Sequence, residues 1–166
     1  MLRDLPLSNV VVVELSDSAS APFSGKILAS LGAEVWKVER ATGDSARGWG
    51  PSTWQGSGAA YHAFNRCKCN LCIDIHDKEQ LATLPPLIAE RADVFIHHLR
   101  PGAAADYGLD ANSLRITKPE LICCEIGAFG HVGPMNTLPG YDPLMQAFSG
   151  IMSITGEEGQ APVRAG

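Results

Sequence analysis

Residues 9–15, NVVVVEL, decide the fold. A continuous β-branched run of this length is the signature of a strand buried on both faces of a parallel sheet. Working outward, the polar turn SDSAS follows at residues 16–20, and Pro22 suits the first position of a helix. Phe23, Ile27, Leu28 and Leu31 recur at helical spacing and are expected to face the sheet. Gly32 ends that helix. Residues 33–38, AEVWKV, read as a second strand, which completes a βαβ unit in about thirty residues.

The alternation continues. Residues 39–58 are rich in Gly, Ser, Thr and Trp, with little periodicity, and read as a long loop at the carboxyl edge of the second strand. Long loops inside compact domains are often functional. A short helix is expected over 61–65 and a strand over 70–75. Asp77 with Gln80 forms a capping box that opens a helix carrying Leu81, Leu84 and Ile88. Pro85–Pro86 must kink or restart it. A strand over 93–97, a turn at Pro101–Gly102, a short helix capped by Asp110 and a strand over 120–126 follow. Beyond them come a glycine-rich loop over 127–140, a helix over 141–151 and a final loop from 153 to 166. Strands alternating with helices indicate an α/β fold with a doubly wound, mainly parallel sheet. Ligands in that architecture sit beyond the carboxyl ends of the strands, so the loops after Leu15, Val38, His97 and Ile126 are the first candidates.

Composition narrows the class. The chain has 166 residues, 45% hydrophobic, which is enough for one α/β domain with a real core. A formal net charge of -5 argues against general nucleic-acid binding, which rests on clustered Lys and Arg. No apolar run reaches bilayer-spanning length, so no membrane partner is expected. The start, MLRDLPLSNVVVVELSD, makes a poor signal peptide, and a cytoplasmic location is expected. Five cysteines, an odd count, argue against a disulfide framework. The cluster C-K-C-N-L-C lacks two separated C-x2-C pairs. It also runs into a strand, where alternate side chains face apart. Cys67, Cys69 and Cys72 are therefore expected as free thiols with no metal; a zinc site is the rival reading.

Several motifs carry chemistry as well as a plain structural reading. Glu39 stands where a dinucleotide fold keeps its ribose-binding acid, but the first turn, SDSASAPFSG, has no G-x-G-x-x-G, which argues against NAD. Arg40, at a strand end, either meets a phosphate or an adenine, or belongs to a solvated loop with an Arg–Asp pair through Asp44. Arg100, before the Pro-Gly turn, either assists an anion at that turn or simply flanks a strand end. His97 and His98 are adjacent and face opposite sides, so they do not form a metal pair. GAFGHVGP lets backbone approach a ligand closely or merely forms a tight loop, and His131 within it reads as a surface residue. Asp142 reads as a helix cap. No G-x-S-x-G elbow is present.

Taken in order, VVVELSDSASAPFSGKILASLGAEVWKVERATGDSAR, FNRCKCNLCIDI, ADVFIHHLRPGAAADYGLD, KPELICCEIGAFGHVGP and PGYDPLMQAFSGIMSITG resemble the class III CoA-transferase family. Its members include formyl-CoA transferase, carnitine CoA-transferase and α-methylacyl-CoA racemase. The resemblance implies the N-terminal part of a Rossmann-like large domain. Residues 1–166 then form a partial CoA-binding domain, with the small domain and the returning C-terminal helices absent. The parent is implied to be an interlocked homodimer. Coenzyme A or acyl-CoA is implied as substrate, a carboxylic acid as acceptor, and no cofactor as permanently bound.

The resemblance also assigns residues. Arg40 falls where the adenine end of CoA is held. Ile73 falls beside the nucleotide, His98, Leu99 and Ala103 along the CoA chain, and Ser18 and Ala19 on the first loop near the acyl group. The family's N-R-x-K-R-S reads N-R-C-K-C-N here, losing a cation at Cys69, so phosphate binding is implied to rest on Arg40, Lys68 and Arg100. His98 stands where Asn is usual, and Asp106 where some members place an Arg. Racemases of the family carry a His-Asp pair where this chain has Tyr141-Asp142, which favours transfer over racemisation. The nucleophile of the transferases is an aspartate a few residues after the stretch matched by GQAPVRAG, hence after Gly166. No catalytic residue is therefore expected within the chain, and the chain alone is expected to be inactive. The rivals are a CoA-thioester racemase or epimerase fragment and a non-catalytic CoA-binding remnant.

Overall fold

A computed structural model of the protein describes residues 5–165. The first four residues and the terminal Gly166 lie outside the described residues. The chain divides into two compact units, Met1–Ile126 and Gly127–Gly166.

The first unit opens with β1 (Val11–Leu15), α1 (Ser20–Ser30) and β2 (Glu34–Glu39). The long loop then holds a 3-10 turn over Ser45–Gly48 and a two-rung hairpin, β3 (Thr53–Trp54) with β4 (Ser57–Gly58). Next come α2 (Ala59–Asn65), β5 (Lys68–Cys72), α3 (Lys78–Leu81), α4 (Leu84–Arg91) and β6 (Val94–His97). The unit closes with α5 (Ala103–Asp106), α6 (Ala111–Thr117) and β7 (Ile122–Glu125). The strands form one sheet in the order β5-β2-β1-β6-β7, and every pairing in it is parallel. This is the doubly wound α/β architecture that the alternation predicts.

The period-two rule sorts the core into two layers. Val13, Leu15, Val38 and Phe95 pack on one face with Leu84 and Ile88 of α4 and Leu114 of α6. Val12, Val35 and Ile96 pack on the other face with Ala21 of α1. Burial on both faces is what the β-branched run requires.

Helix α1 departs from its expected orientation. Phe23, Ile27 and Leu31 are 48%, 43% and 41% exposed, whereas Ala21, Pro22 and Gly25 are buried. The reason lies beneath the helix. The sheet surface there carries Glu14 and Lys37, and a Cβ built on Gly25 would run into the Glu14 carboxylate. Only small residues fit over that carboxylate, and they rotate the bulky ones outward. Pro22 sits two residues inside α1, still among the first-turn positions whose N–H has no helical partner.

Other elements shift slightly. Strand β5 starts at Lys68, not at residue 70, and its pairing with β2 continues through a bond from Ile73 N to Glu39 O of 2.9 Å. Asp77 caps α3 by accepting from Glu79 N and Gln80 N. Gln80 reaches back to Asp74 N at 2.9 Å, extending the capping box one turn outward. The chain restarts as α4 with prolines in its first turn.

In the second unit, α7 (Asp142–Ser149) is followed by Gly150 at φ 83 and a 3-10 turn over Ile151–Ser153. Its N-cap is Tyr141, not Asp142. Asp142 lies inside the first turn and accepts from Gln146 Nε2 at 2.6 Å, so its side chain serves the next turn rather than the free N–H groups. Gln146 also bonds both the N–H and the C=O of Ala165.

Candidate functional site

Two buried ion-pair systems shape the carboxyl end of the sheet. Glu14 and Lys37 are direct neighbours in the β1–β2 register, and both are fully buried. Lys37 Nζ lies 3.3 Å from Glu14 and 2.9 Å from Asp44, and it donates to Ser16 O at 2.9 Å. Lys68 lies 2.7 Å from the other Glu14 oxygen and also donates to Pro22 O and Asn65 Oδ1. Two acids thus face two cations, the balance that buried charge demands. Asp44 ties the system to the loops, accepting from Ser18 N at 3.0 Å and Ala46 N at 2.8 Å. Ser18 itself holds a left-handed φ of 72.

The second system centres on Glu39. Arg47 grips both of its oxygens, Tyr61 donates to one, and Asp44 N donates to the other. Arg47 also lies 3.8 Å over the Tyr61 ring. Burial pushes the Glu39 carboxyl up, but the bonds from Arg47, Tyr61 and Asp44 N outweigh it and leave the group below the ordinary range. Both Glu39 oxygens are committed to these bonds, in keeping with the missing dinucleotide fingerprint.

Above this floor lies a cleft. Leu15 and Val38 form its base. Its walls come from Ser16–Asp17 after β1, Glu39–Arg40 and Gly43–Asp44 after β2, residues 73–76 after β5, and His98–Leu99 after β6. This is the strand-end position where doubly wound sheets bind ligands. Arg40 is exposed. It lies 3.7 Å from Asp17 Oδ2, with a long contact of 3.5 Å to Gly43 O. An Arg40–Asp44 pair, the alternative to a ligand role for Arg40, does not form, because Asp44 turns inward to Lys37. His98 Nδ1 accepts from Asp17 N at 3.4 Å, and burial lowers the pKa of this imidazole despite nearby Asp17. Asp74 accepts from His76 N, and the His76 Nδ1 contacts the Tyr107 hydroxyl at 3.2 Å.

Of the residues singled out in the sequence, Arg40, Ile73, His98 and Leu99 come together in the cleft. Arg100 and Ala103 flank the Pro-Gly turn beside it, joined by a bond from Ala103 N to Arg100 O. Ser18 and Ala19 precede α1, with Ala19 as its N-cap. Tyr141 stands in the second unit, 74% exposed. Lys68 is a correction: its side chain is fully buried on Glu14, so its ammonium is a structural counterion with no exposed atom for a phosphate. His97 is buried beside Phe95 while His98 lines the cleft, so the two do face opposite sides. Cys67, Cys69 and Cys72 are exposed free thiols.

Sequence reasoning missed Asp17, Asp74 and His76 as cleft residues, and Glu14 with Lys37 as its foundation. The usable signal was a single charge inside each otherwise apolar strand run, VVVEL (11–15) and VWKV (35–38), at matching register.

The family model described as CoA-transferase family III matches residues 7–166. The succinate–glutarate CoA-transferase of Agrobacterium fabrum is 42% identical, aligned over 99% of this chain and 42% of its own length. The human succinyl-CoA:glutarate CoA-transferase is 36% identical over 97% of this chain and 37% of its own. The crystal structure of a CaiB/BaiF family protein from Brucella suis superposes with a TM-score of 0.92 at 40% identity, covering 99% of this chain and 44% of that one. The chain thus spans about two fifths of the length of these relatives.

Proposed function

Because the chain belongs to CoA-transferase family III, we propose that it supplies the CoA-binding part of an acyl-CoA:carboxylate CoA-transferase. The observation that carries this reading is the strand-end cleft, with Leu15 and Val38 at its apolar base, Ile73 in its wall and Arg40 at its mouth. An apolar floor takes the flat face of an adenine, and a guanidinium pairs with phosphate oxygens. His98 and Leu99 line the path onward, Arg100 and Ala103 continue it, and Ser18 and Ala19 bound the acyl end. Tyr141 belongs to the substrate loop.

The chemistry proposed is double displacement on an aspartate that lies outside these 166 residues. Its carboxylate attacks the donor thioester, forming a mixed anhydride and releasing CoA thiolate. The thiolate attacks the aspartyl carbonyl, giving an aspartyl-CoA thioester and the free donor acid. The acceptor carboxylate then takes the acyl-enzyme through the reverse sequence and leaves as the new acyl-CoA. CoA is substrate throughout, and no permanent cofactor takes part. The succinate and glutarate named for the relatives support short dicarboxylates as donor and acceptor acids. An interlocked homodimer in the cytoplasm completes the proposal.

The test is a transfer assay with succinyl-CoA and glutarate on the whole protein carrying this sequence. Glutaryl-CoA should form, with no exchange of solvent deuterium at the α-carbon. Deuterium incorporation without transfer contradicts the reading and favours the racemase.

A further inference from the structure

The charge balance of the cleft is unusual for a receptor of phosphates. Among the described residues that line it, Arg40 is the only permanent cation, while Asp17, Glu39, Asp44 and Asp74 are acidic. Glu39 is matched by Arg47, and Asp44 by Lys37. Asp17 and Asp74 remain against Arg40, with His98 held toward its neutral form by burial.

Asp17 is also fixed in place. Its Oδ1 accepts from Ser45 N at 3.2 Å and Ser18 Oγ at 3.1 Å, and from the Ser45 hydroxyl through a short contact. Burial raises this carboxyl, but the bonds from Ser45 and Ser18 prevail and hold it below the ordinary range, so it is ionised at neutral pH. Its second oxygen faces Arg40 at 3.7 Å, inside ion-pair range yet beyond a good hydrogen bond. The Asp17 side chain is 31% exposed and that of Arg40 56%, so the pair lies open to the cleft.

We propose that Asp17 is a specificity-determining residue that faces Arg40 as an internal anion, so that a ligand phosphate must compete with it for the guanidinium. This inference rests on the CoA reading of the cleft. The physical basis is competition for one cation. A bound phosphate gains Arg40 but loses the Asp17–Arg40 attraction and meets a fixed negative charge that cannot swing away, because Ser18 and Ser45 hold it. The cleft therefore penalises anionic ligands that reach Arg40, and it leaves uncharged adenosine unaffected.

The test is calorimetric titration of the protein with CoA and with phosphate-free adenosine. Wild type, Asp17→Asn, Asp17→Ala, Arg40→Ala and the Asp17→Asn/Arg40→Ala double variant are compared. Asparagine retains the acceptor for Ser45 N, and thermal melts of each variant confirm an intact fold. Asp17→Asn and Asp17→Ala should both tighten CoA by about threefold or more. Adenosine affinity should not change, and the gain on CoA should shrink in the Arg40→Ala background and at high salt. Unchanged or weaker CoA binding by both Asp17 variants, while Arg40→Ala still weakens CoA, would overturn the role of Asp17 alone. Equal tightening of CoA and adenosine overturns it too. If Arg40→Ala leaves CoA affinity unchanged, or no variant binds CoA, the reading of the cleft fails and this inference with it.

Discussion

Arg40 follows the last residue of β2, and its backbone leaves the sheet just where the chain turns over the cleft. Its contacts to Asp17 and Gly43 O are long, so guanidinium donors remain for a ligand even though Asp17 competes for the charge. Truncation by Arg40→Ala should weaken CoA by about tenfold, the scale of one hydrogen bond to a charged group, with little change in the melting temperature. Glu39, one residue away, behaves oppositely. Its folded pKa lies below the ordinary value, so the stability it contributes is present above the unfolded carboxyl pKa and is lost as pH falls through the folded one. Glu39→Gln should therefore lower stability at neutral pH and flatten the acid side of the stability–pH curve, measured by urea titration from pH 7 to 3. Residue type alone could not separate these neighbours. Only the placement of Arg47 and Tyr61, set by the folded loop, decides which carboxylate is sealed and which cation stays open.

At the scale of elements, the strands and the burial of β1 on both faces were legible because β-branched runs are local properties of the chain, whereas the strand order β5-β2-β1-β6-β7 emerges only in the fold. The caps at Asp77 and Asp110 were legible too, whereas Asp142, read as a cap, lies inside the first turn of α7. Asp110 accepts from Asn112 N and Ser113 N as its position predicts, and Asp110→Ala should cost about 1 kcal/mol in chemical denaturation. The orientation of α1 was not legible. Its spacing alone places Phe23, Ile27 and Leu31 inward, yet the helix turns its small residues down because two charges lie beneath it. Gly25→Ala should accordingly destabilise the fold strongly, by more than the exposed Ile27→Ser, which is expected to stay within about 0.5 kcal/mol. Comparing the thermal midpoints of the two variants checks the orientation. Lys68 escaped for the same reason. A lysine on a strand start reads as a surface cation until Glu14, 54 positions away in sequence, is seen to receive it.

At the scale of the molecule, the parallel sheet gathers four loops at one end, and the buried system of Glu14, Lys37, Lys68 and Asp44 ties the loops after β1 and β2 to the sheet beneath the cleft. Lys37→Met would strand the carboxylate of Asp44 and half the charge of Glu14 in the interior. A loss of about 3–5 kcal/mol is expected in urea unfolding. Charges under the sheet thus hold the loops whose side chains line the cleft. On the proposed function, this end of the sheet receives CoA through Arg40. The most direct measurement is the dissociation constant of CoA for the protein and for its Arg40→Ala variant, under identical salt. Saturable binding that weakens by about tenfold in a variant with an unchanged melt is the predicted result. Equal affinity in the two proteins, or no saturable binding in either, would contradict it.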